Sequence, residues 1–153
     1  MAEAILQLVY ISRASAPLDD AALEELAQGA AMANADNAIT GLLLHDGSRF
    51  IQALEGDANA VDATMARIAR DARHASIAYV ERAFVPVRQF GDWAMDVRRV
   101  NDAQGTRAFL ADLKRTLRPV DNHRLVAAFI GFAMLGHPGL RARGTPPGVA
   151  GYA

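Results

Sequence analysis

A chain of 153 residues, with 52% hydrophobic and 22% charged residues and a formal net charge of −1, has the size and balance of one soluble globular domain and not of a disordered segment. Arg residues alternate with Asp and Glu, so there is no basic surplus of the kind that nucleic acid demands. The lack of any Cys excludes disulfides, thiolate metal sites and covalent cysteinyl adducts with a cofactor.

The opening Met-Ala-Glu-Ala-Ile-Leu-Gln has no positive stretch followed by an apolar one, so it reads as the start of a strand and not as a secretion signal. A cytoplasmic location is expected. Ile5 to Ser12 is the first strand, expected to be central, and period-two geometry puts Leu6, Leu8, Tyr10 and Ser12 on one face. Asp19 or Asp20 caps a helix running to about Ala33, with Leu23, Leu26 and Ala30 as its inward stripe. Asn34 lies eleven residues beyond Leu23, close to three turns, so a polar amide ends the face meant for burial. Two apolar runs, Ile39 to His45 and Arg49 to Leu54, are joined through Asp46-Gly47 as a hairpin. On the second of them Phe50, Gln52 and Leu54 share a face.

A second helix from about Asp57 to Asp71 carries Val61, Met65 and Ile68 on one side and ends near Arg73-His74. Strands follow at Ile77 to Val85 and Ala94 to Val100, separated by a loop with Phe90-Gly91-Asp92-Trp93. The order βαββαββ predicts an α+β, ferredoxin-like mixed sheet with two helices on one face. After it, Asn101 or Asp102 caps a helix to about Leu117, and Asn122 opens a last helix that ends at Gly136. This last helix is apolar around most of its circumference. It is too short to span a membrane, and is expected to pack on the sheet or on a partner. The expected organisation is thus a ligand-binding domain over 1–100, a helical pair over 101–138 and a flexible tail over 139–153, where Gly and Pro accumulate.

Taken singly, the polar residues have ordinary readings. Tyr10 can be a core aromatic, Asn34 a helix C-cap, Asp71-Arg73-His74 a solvated helix end, Trp93 and Met95 packing, and Glu55-Gly56 a turn. Gln52 is less ordinary, because a buried amide without partners costs about 1–3 kcal/mol. Together they leave hydrogen-bonding groups on two inward helix ends and two inward strands, an arrangement suited to a planar ligand with polar edges. No G-x-G-x-x-G or Walker-type loop is present, no nucleophile elbow stands out, and the four His show no metal-ligand spacing.

Five segments in order resemble the BLUF family, the sensors of blue light using FAD. They are Leu8-Val-Tyr10-Ile-Ser12-Arg-Ala14, Asn37-Ala-Ile-Thr40-Gly-Leu-Leu43, Phe50-Ile-Gln52-Ala-Leu-Glu55-Gly56, Arg67-Ile68 with Asp71-Ala-Arg73-His74, and Arg88-Gln-Phe90-Gly-Asp-Trp93-Ala-Met95. The resemblance covers about Ile5 to Val100 and is of the short stand-alone type. It implies that Tyr10 and Gln52 are the photoactive pair: Tyr10 gives an electron and then, by way of Gln52, a proton to the excited flavin. Gln52 is left rearranged, with a stronger bond to the flavin C4 carbonyl and a red-shifted spectrum. By the same resemblance Asn34 bonds the isoalloxazine edge, Leu26 and Ile68 sandwich the ring, and Arg67, Asp71, Arg73 and His74 are flavin-contacting or flanking groups. Ser12 supports the network near Trp93 and Met95, the candidates for signal transfer. Ala33 stands where many members have a second asparagine or a histidine, and Ala30 where some have a serine near the ring.

The expected function is therefore a blue-light photoreceptor, not an enzyme. It would hold FAD non-covalently, with FMN or riboflavin also compatible, and signal to a protein partner or through a homo-oligomer interface, with no nucleic acid, membrane or metal involved. Two alternatives are a flavin-dependent redox enzyme, for which no separate acid or base stands out, and a light-insensitive ligand-binding module in which Tyr10 and Gln52 are only core.

Overall fold

A computed structural model of the protein describes residues 4–91, 94–100 and 106–136. Trp93, the proposed capping residues Asn101 and Asp102, and the segment 139–153 lie outside the described residues. The elements run β1 (Ile5–Ala14), α1 (Asp20–Asp36), β2 (Thr40–His45), β3 (Arg49–Gly56), α2 (Ala58–Arg70), β4 (His74–Val85), β5 (Asp96–Arg99), α3 (Thr106–Thr116) and α4 (His123–Gly136). The five strands form one mixed sheet in the order β4-β1-β3-β2-β5, antiparallel except for the β2–β5 pair. This is the ferredoxin-like α+β arrangement that the order of elements predicts.

Central placement explains why β1 and β3 are apolar on both sides. On one face Leu6, Leu8, Tyr10 and Leu54 meet Val61 and Met65 of α2, while Leu43 and Phe50 meet Leu23 and Leu26 of α1. On the other face Val9, Leu42, Leu44, Ile51 and Ala53 are sealed by Phe109 and Leu113 from α3, by Leu117 just after it, and by Leu125, Phe129 and Phe132 from α4. The apolar side of α4 is therefore spent inside the domain, with Phe129 fully buried. Arg49 reaches across from the hairpin and stacks its guanidinium over the Phe132 ring at 4.6 Å.

Local boundaries follow from the caps. Asp19 accepts from the Ala22 N–H to start α1, and Asp57 accepts from the Asn59 and Ala60 N–H groups to start α2. Helix α1 runs three residues past Ala33 and ends at Asn37, whose Nδ2 donates to the Ala33 carbonyl. Asn34 thus lies within the helix and does not cap it. The hairpin turn is centred on Gly47-Ser48, one residue later than the sequence reading, with Gly47 at φ 100°. Asp46 closes it from outside: its carboxylate accepts from the Ser48 and Arg49 N–H groups and pairs with the Arg49 guanidinium at 2.9 Å. Strand β4 starts three residues before Ile77, and β5 is shorter than the expected Ala94–Val100. Glu55-Gly56 is the end of β3 and no turn.

Candidate functional site

A cleft of about 550 Å³ opens between α1 and α2 above β2 and β3, within the range of small-ligand sites. Space is left there because α1 presents Gly29, Ala30 and Ala33 to it in place of large side chains. Leu26 and Ile68 face it from opposite helices and Leu43 lies on the strand beneath. Polar groups enter from Asn34 on α1, Gln52 on β3, Arg67 and Arg70 on α2, and Asp71, Arg73 and His74 beyond its end.

Tyr10 and Gln52 are direct cross-strand partners, which is why their side chains meet on the cleft side of the sheet. The Tyr10 hydroxyl donates to Gln52 Oε1. Tyr10 is completely buried, and burial pushes its pKa far up, so it is held as a neutral donor. With its carbonyl oxygen committed to the phenol, Gln52 turns Nε2 toward Met95 Sδ at 3.4 Å, a weak acceptor for an amide donor. An amide proton at the cleft wall is left for a better acceptor.

The segment bearing Met95 is itself fixed to the cleft wall, since Asn34 Nδ2 donates to the Ala94 carbonyl at 3.1 Å. It also lies close over β2. A Cβ at Gly41 would fall 3.2 Å from Met95 Cε and 2.0 Å from the Ala53 carbonyl oxygen, so only Gly fits at that position.

At the far end of the cleft Asp71 ties itself to Arg73, accepting from its backbone N–H at 2.9 Å and its guanidinium at 2.6 Å. The side-chain bond from Arg73 holds the Asp71 carboxyl at a pKa of about 2. Burial lowers the pKa of His74, whose ring packs against Phe50 at 4.7 Å and whose Nδ1 lies 2.9 Å from Ser12 Oγ. Ser12 therefore stands behind His74 and not in the cleft wall.

Of the residues singled out in the sequence, Leu26, Asn34, Gln52, Arg67, Ile68, Asp71, Arg73 and His74 line one cleft, and Tyr10, Ser12 and Met95 sit one residue behind it. Sequence reasoning missed Leu43, Gly29 and Arg70. Leu43 pairs with Gln52 across the hairpin, so the register alone would have found it, and Arg70 lies one helical turn after Arg67.

Leu26 and Ile68 supply apolar side chains to the lining, Gln52 an amide donor, and Arg67, Arg70 and Arg73 positive charge, a donor set whose chemistry is compatible with a planar ring that has a polar edge and an anionic tail. The family model for sensors of blue light using FAD matches residues 5–96. The chain belongs to the BLUF family. BLUF domains are blue-light sensors that bind a flavin, and this chain is such a sensor.

The chain is 36% identical over 89 residues to the photoactivated adenylate cyclase subunit beta of Euglena gracilis, a match covering 58% of this chain and 10% of that protein. It spans about a tenth of the length of the curated relatives it matches first. Among solved structures, the BlrP1 BLUF domain superposes with a TM-score of 0.74 at 26% identity, over 88% of this chain and 93% of that one. BlrP1 of Klebsiella pneumoniae, solved with FMN and cyclic diGMP, gives a TM-score of 0.70 at 30% identity, covering 83% of this chain and 34% of that one. Among the described residues, no helix is long and apolar enough to cross a membrane, and no group of His, Cys, Asp and Glu is placed to hold a metal ion.

Proposed function

We propose that the chain senses blue light through the Tyr10–Gln52 pair, with FAD as its flavin, and passes the result to a protein partner or a second copy of itself without catalysing a reaction of its own. The observation that carries this reading is the Gln52 amide, held by a phenol on one side and by only a thioether on the other, at the wall of a cleft.

A bound flavin supplies absorption of blue light and, once excited, an acceptor for an electron and a proton. The rest is done by the chain. Tyr10, kept neutral by burial, holds a transferable proton on a bond to Gln52 Oε1. Gln52 has two arrangements that an amide rotation interchanges. In the one observed, Oε1 accepts from Tyr10 and Nε2 faces Met95. In the other, Nε2 faces the phenol oxygen, which can accept, and Met95 Sδ loses its donor. Either arrangement keeps a hydrogen bond between Tyr10 and Gln52, with the phenol as donor in one and as acceptor in the other, so the amide is a bistable element. Leu26 and Ile68 exclude water from the ring faces, and Asn34 and Arg67 orient the polar edge and tail. The Asp71–Arg73 pair and His74 close the flank.

The preference for FAD rests on the family model, since no adenine-binding surface is identified in the cleft. The visible spectrum of the purified protein in the dark, after blue illumination and during recovery is the test. A flavin spectrum that shifts to the red and returns is expected; one that only bleaches, or a protein that takes up no flavin, overturns the reading.

A further inference from the structure

The His74 ring is held from three sides at the wall of the cleft. Phe50 of β3 packs against it with ring centroids 4.7 Å apart, the Tyr10 ring meets it edge-on at 6.0 Å, and Ser12 Oγ lies 2.9 Å from its Nδ1. Phe50 is stacked in turn on His45, with centroids 4.5 Å apart. These rings restrict the imidazole, so its Nδ1 edge stays on Ser12 while the ring remains part of the cleft lining.

The backbone is bent to bring this about. Pairing between β1 and β4 shifts between Ile11 and Arg13, at Ser12 itself, and Ser76 on the facing stretch takes a φ of 53°. A non-glycine residue seldom adopts positive φ, and irregularities of this kind re-aim side chains beside functional sites. Here the bend lies two residues after His74 and leaves its side chain on the same side of the sheet as Ser12.

Hydrogen-bond satisfaction decides where the imidazole proton lies. Ser12 is 1% exposed, and among the described residues its hydroxyl has His74 Nδ1 as its one partner. If Nδ1 carried a proton, it would donate to Ser12 Oγ and the Ser12 O–H would be left buried without an acceptor. With the bond running from Ser12 to Nδ1, both groups are satisfied and the ring proton sits on Nε2. Burial pushes the His74 pKa down; of the charged and titratable groups around it, Asp71 opposes this while Arg73 and His45 reinforce it. Nε2 has no protein partner among the described residues, on a ring that lines the cleft.

We propose that Ser12 is a positioning residue: by donating to His74 Nδ1 it fixes the imidazole as a neutral donor, whose Nε2–H is offered to an uncharged oxygen, a carbonyl or hydroxyl, on the riboflavin portion of the bound flavin. An anionic tail is better matched by Arg67, Arg70 and Arg73, whose charges line the same cleft. The inference deepens the photosensing reading and rests on it.

The test joins two measurements on the full chain. Long-range proton–nitrogen NMR of the His74 ring, with and without flavin, should show Nδ1 unprotonated and Nε2 protonated at neutral pH. Ser12→Ala should give a mixture of the two tautomers, and Ser12→Thr, which keeps the hydroxyl, should restore the single one. Equilibrium dialysis should find riboflavin bound about three- to tenfold more weakly by Ser12→Ala, the factor for one ordinary hydrogen bond, and FMN weakened by the same factor. A protonated Nδ1 in the unaltered chain overturns the proposal, as does a Ser12→Ala chain that binds riboflavin unchanged or loses affinity for FMN alone. A chain that shows the expected tautomer and binding factors yet no light-induced red shift overturns the photosensing reading alone. A chain that takes up neither flavin overturns both.

Discussion

The two faces of the sheet are built from the same strands and made differently. Under α3 and α4, Val9, Leu42, Leu44, Ile51 and Ala53 are covered by interlocking aromatic and aliphatic side chains, and the polar groups of Gln7 and Glu55 are gathered at one end. Under α1 and α2 the helices leave a cleft in the middle, and the side chains around it are amides, Arg and His interleaved with Leu and Ile. A strand that needs only to fold would bury both faces in the same way. The asymmetry shows where stability is concentrated and where a ligand belongs.

The sharpest way to break this contrast is to damage each face in turn. Phe129→Ala on the sealed face should lower unfolding free energy by about 3–5 kcal/mol in a urea titration, because the surrounding side chains cannot collapse into the space. A loss below about 1 kcal/mol would mean that α4 is not part of the core. Tyr10→Phe should cost less, about 1–3 kcal/mol, for leaving the buried Gln52 Oε1 without its donor. It should keep the yellow cofactor and lose the light-induced red shift altogether; a variant that still shifts would remove Tyr10 from the proposed mechanism.

Leu26→Ala, on the open face, should cost about 2 kcal/mol or less, since it enlarges an existing cleft and creates no closed cavity. Its main effect should be weaker flavin retention, read by equilibrium dialysis, whereas Phe129→Ala should leave retention unchanged in the folded fraction. Asp71→Asn should have the smallest effect. The Asp71 pKa is depressed in the folded state, so its contribution is present above its ordinary value of 3.8 and fades as pH falls toward about 2. The substitution should flatten the acid limb of a stability-against-pH curve across that window and lower stability at neutral pH by the same amount, which is small because the pair is partly exposed. An unaltered acid limb would show that Arg73 does not hold the carboxylate in solution.

These contrasts were unevenly legible in the sequence. Period-two geometry placed Tyr10 and Gln52 on the same side of their strands, because side-chain alternation is a local property that tertiary packing does not alter. Helical spacing placed Asn34 on the side of α1 that carries Leu23 for the same reason. Boundaries were less legible. Helix α1 passes Asn34 because Asn37, three residues on, supplies the better cap, and two neighbouring Asn residues look alike in sequence. Glu55 looked like half of a turn, and nothing in its spacing announces that donors from Gln7, Thr40, Gln89 and Phe90 converge on it across up to 48 residues of chain. Nor could composition say which surface the apolar α4 covers, since a core and a partner interface ask for the same residues.

The wall of the cleft is drawn entirely from residues 26–74, whereas the outer surfaces of α3 and α4 belong to residues that never approach it. For protein engineering this amounts to a division of labour. The solvent-facing positions of the two C-terminal helices, among them Arg107, Ala111, Lys114 and Ala127, can be rewritten to recognise a chosen partner without touching any residue that surrounds the pigment.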